Sequence, residues 1–507
     1  MVAADAAWGQ HWPVTRGIAP NQGSTQMNRR SFMRRTAAAG TVIASAPVIV
    51  APANAAEPTT NPQKVTQTLS RYLVAARFED LPEPIRKEAA RSLLNWIGVA
   101  VGGSRHEAVE IALATVTLFA GPPQATILGR KERLDIMNVV LLNGISSHVF
   151  DFDDTDLTTA VHPSAPVIPV LLALAETRKV SGPDFINAMV LGIEAECRVA
   201  RAVTPTMQDV GWHATGSVGA FGAAVGAGKL LNLDETRMSH AIGLAATQPV
   251  GLREMFGSMT KSFHPGRAAQ NGLLAALLAE KGYTSSLRGI EAKRGWANVL
   301  STARDYAVIT DDLGKHWEIS RNSYKPFACG LVVHPVIDGC IQLRDENKLT
   351  AAAIDRIDLA IHPIVLELTS NRTPRTGLEG KFSVYYAAAI AIVAGRAGEA
   401  QFTGALVRDP TVIALRDKVQ TTVDPSLSQD QARIKVTLKD GRVLDRFIEH
   451  AVGSVENPMS DAQLDAKFAD LAVDILSADR ARHLMKLCRD AEHLTDAGEI
   501  ARAAAAT

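Results

Sequence analysis

Large aromatic rings are scarce in this chain, only 5% of its 507 residues. A core without many rings has to be filled by Ala, Leu, Val and Ile, which favours close-packed helices over a sandwich of sheets. Cysteine is rarer still. Cys197, Cys329, Cys340 and Cys488 are scattered, with no CxxC, which excludes a zinc ribbon and an iron–sulfur cluster. A Cys329–Cys340 pairing stays open for a chain that leaves the reducing cytosol. Charge of one sign is missing too: 53 basic residues balance 53 acidic ones, so nothing suggests a nucleic-acid footprint and any basic site is local. A phosphate loop is only mimicked. Gly216, Gly219, Gly222, Gly226 and Gly228-Lys229 lack the required offset, and Leu230 replaces the hydroxyl residue that would hold magnesium. Glycines at three- and four-residue steps instead make a smooth helix face.

What is present begins with a targeting pattern over residues 1–56. Arg29-Arg30-Ser31-Phe32-Met33 fits a twin-arginine signal, an apolar stretch follows at 36–50, and Ala53-Asn54-Ala55 offers a cleavage site. That stretch is too short and too rich in Ala and Gly for a permanent membrane anchor. The expectation is a periplasmic protein whose signal is removed near Ala55, with Met27 an alternative start.

The length suggests more than one domain. After a polar linker at 57–64, Ile85, Ala89, Leu93, Trp96 and Ala100 mark a buried helical stripe. Similar periods recur at 134–149, 165–178, 183–201, 234–247 and 268–281. From about 315 the period shortens: Trp317 and Ile319 alternate, as do Ile357, Leu359 and Ile361. Ile434, Val436 and Leu438 do the same up to an Asp440-Gly441 hairpin signal. Ser460 and Gln463 then stand as a capping box for a last helical region. The fold class predicted is mainly α. A helical domain at 65–322 is completed by C-terminal helices at 456–507, and a smaller α+β lid domain is inserted at 323–455. A cleft would lie between them.

Polar clusters interrupt this apolar background. Asp151, Asp153 and Asp154 follow the helix that ends near His148. They suit an Mg²⁺ site, an N-cap cluster, or an Asp151 that orients a catalytic group with Thr155 beside it. Mg²⁺ needs several oxygen ligands, and no second acidic motif complements these, so no metal is expected. His162 and His213 each sit in a loop beside a helix, where imidazole can carry protons near neutral pH. TKSFHPGR at 260–267 places Lys261, His264 and Arg267 just before an apolar helix expected to start at Ala268, a place suited to an anion. Lys261 is also a desolvated acid or base in prospect. Lys325 and Tyr386 could reach a cleft from its other side, although Tyr386 alone reads as core.

In this order the clusters resemble the MmgE/PrpD family of 2-methylcitrate dehydratases, cis-aconitate decarboxylases and iminodisuccinate epimerases. The motifs are NGISSHVFDFDDTD…HPSAPVIPVLLALAE, GWHATGSVGAFGAAVGAGKLL and MTKSFHPGRAAQNGLLAALLAEKGYT. The resemblance spans about 65–475. It implies an α+β lid over a helical domain, a homodimer, no metal or organic cofactor, and site positions at Asp151, Thr155, His162, His213, Lys261, Lys325 and Tyr386. Neighbouring Tyr385 rivals Tyr386 in the SxxY pattern. Decarboxylase members carry a histidine five residues after the lid lysine, where this chain has Gly330; His334 is a possible substitute.

The activity expected is a lyase on a small di- or tricarboxylate, with loss of water as from 2-methylcitrate. Epimerisation and decarboxylation share its carbanion chemistry. A periplasmic carboxylate-binding protein without catalysis is the alternative of another class.

Overall fold

The computed structural model describes residues 64–506, so the 1–56 signal region lies outside the described residues. The chain is mainly α, with a smaller α+β portion. The helical stripes expected from periodicity appear as Glu83–Gly103, Ile136–His148, Ser164–Thr177, Gly182–Arg201 and Glu235–Ala246. The glycine-rich stretch forms helix Ala214–Leu230, and its missing side chains do admit neighbours. A Cβ at Gly219 would stand 2.8 Å from the Pro166 ring, and one at Gly222 would lie 2.9 Å from a Val167 methyl. Among the described residues no helix is long and apolar enough to cross a membrane.

One helix starts earlier than expected. Residues 260–267 are not a turn before Ala268 but the first turns of helix Thr260–Glu280, with Pro265 inside it. The Pro-Gly pair reads as a break, yet here each member has a place in the helix. Pro265 forfeits one hydrogen bond to the Lys261 carbonyl, while Gly266 lets this helix touch Ile136–His148 backbone to backbone. A Cβ on Gly144 would lie 2.5 Å from the Cα of Gly266. The crossing sets the start of one helix against the end of the other, which brings Lys261 beside the loop that follows His148.

The α+β portion holds a four-stranded sheet in the order Val419–Val423, Ile354–Ile361, Ala432–Leu438, Val443–Ile448. The first pair is parallel and the others antiparallel. Gly441, with φ 88°, turns the expected hairpin. The alternation at Trp317 and Ile319 is no strand: residues 318–321 wind into a 3₁₀ turn.

Two apolar clusters result. The larger joins the helices of the N-terminal half to Met459, Leu464 and Phe468; the smaller runs from Phe327 to Ala451 with Val99, Phe152 and Leu471 added. Ser460 and Gln463 do form a capping box on helix Asp461–Ala472, which packs on Glu83–Gly103. Cys329 and Cys340, the pair left open above, are both free and buried.

Candidate active site

A cavity of about 310 Å³ is lined from both apolar clusters, and Asp151, Thr155, His162, His213, Lys261 and Lys325 all face it. Two very short strands do much of the assembly. Thr155 pairs with Ser323, and Asp156 with Asn322, antiparallel. That ladder fixes residue 325 next to the loop after His148. Two-residue strands carry no periodicity, so the sequence could not announce it.

Asp151 occupies the centre with φ at 50°, an unusual backbone for a residue with a Cβ. Lys325 Nζ donates to its Oδ1 at 2.6 Å, and Lys261 Nζ stands 2.8 Å from its Oδ2. Burial alone would push the carboxyl upward, but the two ammoniums outweigh it and hold it well below the usual carboxylate range. Burial pulls Lys261 down from the ordinary lysine value against the pull of Asp151. Phe256 and Phe382 flank that ammonium at 5.2 and 5.6 Å, within cation–π range.

The backbone around Asp151 is held by lysines from distant segments. The carbonyl of Phe150 accepts from Lys381 at 2.6 Å, that of Asp151 from Lys325 at 2.9 Å, and that of Phe152 from Lys467 at 2.7 Å. Three consecutive carbonyls thus each receive an ammonium. Lys467 also donates to the Lys325 carbonyl at 2.9 Å, tying two of the clamps together. Its burial drives it well below the ordinary lysine value.

The opposite wall is imidazole. Asp153 reaches His148 Nδ1 through Oδ2 at 2.8 Å, and its Oδ1 stands 3.2 Å from His162 Nδ1. Thr155 Oγ1 meets the same His162 nitrogen at 3.2 Å. His213 stands immediately before helix Ala214–Leu230, its amide donating to the Gly251 carbonyl at 3.1 Å. Its Nδ1 lies 2.9 Å from His264 Nδ1, so one ring must donate and the other accept. Gly251, at φ 97°, makes room: a Cβ there would sit 2.8 Å from the His264 ring. Burial lowers His162 and His264 to about 4 and takes His213 well below its ordinary value. All three are neutral at pH 7.

Three sequence expectations change. Tyr386 lies outside the cavity: its helix is buried in the smaller cluster, and its hydroxyl donates to the Gln401 carbonyl at 2.5 Å. The SxxY pattern reports a cap, since Ser383 Oγ accepts from the Tyr386 amide at 3.1 Å. Tyr385 is no replacement, its hydroxyl being 3.1 Å from Thr421 Oγ1. Arg267 is exposed and engages Gln270; six residues on from Lys261, the helix has turned it roughly 120° away. His264 does not line the cavity but backs His213.

His334 does not take the place of the missing histidine either, because its Nε2 faces the Cys329 carbonyl at 3.3 Å. Gly330 does line the cavity, and a Cβ there would meet nothing within 4 Å.

Sequence reasoning missed His148, Asp153, Lys381 and Lys467 as working parts. Lys467 left one signal, a charge on the buried stripe of Leu464, Phe468 and Leu471. Asp154, grouped with its neighbours as a possible cap or metal ligand, instead accepts from Ser164 at 2.6 Å and Asn322 at 2.5 Å. Burial raises it to about 6.

A helical scaffold and a sheet-bearing partner enclosing paired lysines and neutral histidines define a cavity that can hold an anion and move a proton beside it. The comparisons agree on its kinship. The MmgE/PrpD N-terminal domain matches residues 67–309 and the MmgE/PrpD C-terminal domain residues 327–491. The chain belongs to the MmgE/PrpD family. It is 27% identical to the cis-aconitate decarboxylase of Homo sapiens, covering 86% of this chain and 93% of that protein. It is 26% identical to the cis-aconitate decarboxylase of Aspergillus terreus, covering 85% and 94%, and 26% identical to that of Mus musculus, covering 87% and 93%.

Proposed function

We propose that the protein is a lyase acting on a small di- or tricarboxylic acid through proton removal beside a carboxylate, with elimination of water, as from 2-methylcitrate, as its overall reaction. One observation carries the reading: Asp151 gripped by Lys261 and Lys325 in the same cavity as two neutral histidines. The ammoniums supply fixed positive charge for substrate carboxylates and for the negative charge that develops when the carbon loses its proton. His162 takes that proton. Asp153 behind it stabilises the imidazolium that forms. His213 donates a hydrogen bond from its ring N–H to the departing hydroxyl, which leaves with the electron pair of its carbon–oxygen bond. The proton that His162 took from carbon is then delivered to that oxygen, so water departs and both rings end neutral. The chain's own acids and bases suffice for this step.

A second reading is decarboxylation, favoured by the relatives named above. It reaches the same kind of carbanion by loss of carbon dioxide. The open space at Gly330, where decarboxylase members are expected to carry a histidine, favours elimination. Epimerisation would use the two histidines as acid and base on opposite faces. The twin-arginine pattern supports a periplasmic location, and the resemblance supports a homodimer, which size-exclusion chromatography with light scattering would test.

The deciding experiment is a proton NMR screen of small polycarboxylates with the purified protein in deuterated buffer. Dehydration yields a vinylic or shifted alkyl signal, epimerisation replaces the α-proton with deuterium, and decarboxylation shortens the carbon skeleton. An acid that binds yet shows none of these changes, and no deuterium uptake, would make the protein a carboxylate-binding protein instead.

A further inference from the structure

We infer that His148, His162 and His213 also form a binding site for a borderline transition-metal ion of the zinc class, and that occupancy switches the cavity off. The binding half of the inference stands on geometry alone; the inhibitory half rests on the lyase reading.

Each of the three residues offers a ring nitrogen within 4.8 Å of those of the other two. Their ring centroids lie 4.5, 6.1 and 6.5 Å apart. In every ring Nδ1 is already engaged: by Asp153 for His148, by Asp153 and Thr155 for His162, and by His264 for His213. Nε2 is what remains for a ligand. A carboxylate behind the outer nitrogen of a metal-binding imidazole is the usual second layer of zinc sites, because it fixes the ring and raises its basicity. Asp153 serves two rings at once in this way.

A second observation points the same way. His148 Nε2 is fully buried and has no hydrogen-bond partner, and the His148 side chain is 0% exposed. Proton transfer by His162 and His213 makes no use of that atom. A metal ion would satisfy it. Zinc–nitrogen bonds of about 2.0–2.1 Å place tetrahedral ligands roughly 3.4 Å apart, so ring nitrogens within 4.8 Å of one another have to draw together to share one ion. Imidazole ligands select zinc, copper or nickel over magnesium, which prefers oxygen. Asp151 and Asp153 offset the charge of Lys261 and Lys325 nearby, and the cavity leaves a fourth position for water or a substrate carboxylate. An ion seated there takes the lone pair that His162 needs as a base and displaces the N–H that His213 offers to the leaving hydroxyl.

The test uses the purified, chelator-treated chain titrated with Co²⁺ in the absence of substrate. We expect one Co²⁺ per chain, visible d–d bands of four-coordinate geometry, and displacement by Zn²⁺. His148→Ala and, separately, the cavity-facing His213→Gln should each weaken binding by at least about tenfold, with folding checked by thermal melting. His450→Ala tests the half-exposed Asp430, His450 and Glu456 group and should leave the bands in place. Absence of bands in the unmodified chain, or bands that survive both cavity variants, overturns the inference. Turnover abolished by Zn²⁺ and restored by chelator would establish the inhibitory half; Zn²⁺ bound at the histidines with turnover unchanged would sink that half alone.

Discussion

The two walls of the cavity solve opposite problems with buried groups. On one wall Asp151 stays charged because Lys261 and Lys325 face its two oxygens. On the other, His162 and His213 are kept neutral by the same loss of water: burial outweighs the pull of Asp153 on His162, and the charges and rings around His213 only push it further down. One wall therefore holds charge, and in the proposed reaction the other moves it. Two ammoniums outweigh burial at Asp151, whereas one shared carboxylate falls short of it at His162.

The sharpest way to break that contrast is on the imidazole wall. His162→Ala and His213→Ala should each cut turnover by about 10²–10⁴-fold, the range for a lost general acid or base. Their melting curves should stay close to the parent's. Near-normal turnover in both would remove the site assignment. On the charged wall, Lys325→Met leaves the Asp151 carboxylate with one ammonium fewer and frees its carbonyl. We expect turnover to fall roughly 10²–10³-fold, and folding stability by about 3–5 kcal/mol, as for a broken buried pair. A denaturant titration reads the second number, and its presence here but not at His213 is the comparison restated.

Acidity separates the walls further. With His162 at about 4, a base that must be unprotonated keeps kcat/KM flat at neutral pH and loses it only as pH falls through about 4. An acid limb near 6.5 would show that burial had not kept the ring neutral. Stability responds over a different window. His162 and His264 titrate near 4 when folded and His334 near 3, but all three near 6.5 when unfolded. The unfolded chain then binds more protons between those values, so the melting temperature should drop as pH falls below about 6.5. The smallest effect belongs outside the cavity: Tyr386→Phe should cost about 1 kcal/mol for its hydrogen bond to Gln401 and leave turnover alone. Loss of turnover at constant stability would return Tyr386 to the site.

Much of the scaffold was legible because long amphipathic helices write their period into the chain, as at Ile85 through Ala100. The Asp440-Gly441 turn and the Ser460 cap were legible through local chemistry. The start at Thr260 was not, because Pro265-Gly266 carries the signature of a break while Gly266 serves a helix crossing visible only in three dimensions. Among site residues, Asp151, His162, His213 and Lys261 stood out as polar interruptions of apolar sequence. Thr155 stood out beside Asp151, and Lys325 as a residue able to reach a cleft from its other side. Asp153 and His148 act through other residues, and Lys381 and Lys467 through backbone carbonyls, which leave no pattern in composition or spacing. Tyr386 misled for a related reason: a serine three residues ahead of it marks a helix cap as readily as an active-site motif.

The carbonyl of Phe152 waits for a lysine that is translated 315 residues later. A ribosome working from the N-terminus has therefore made every cavity-facing histidine and lysine well before the loop that aligns them gains its last support. Chains that stop short of Lys467 would carry all the cavity-facing histidines and lysines without the last prop of the loop between them.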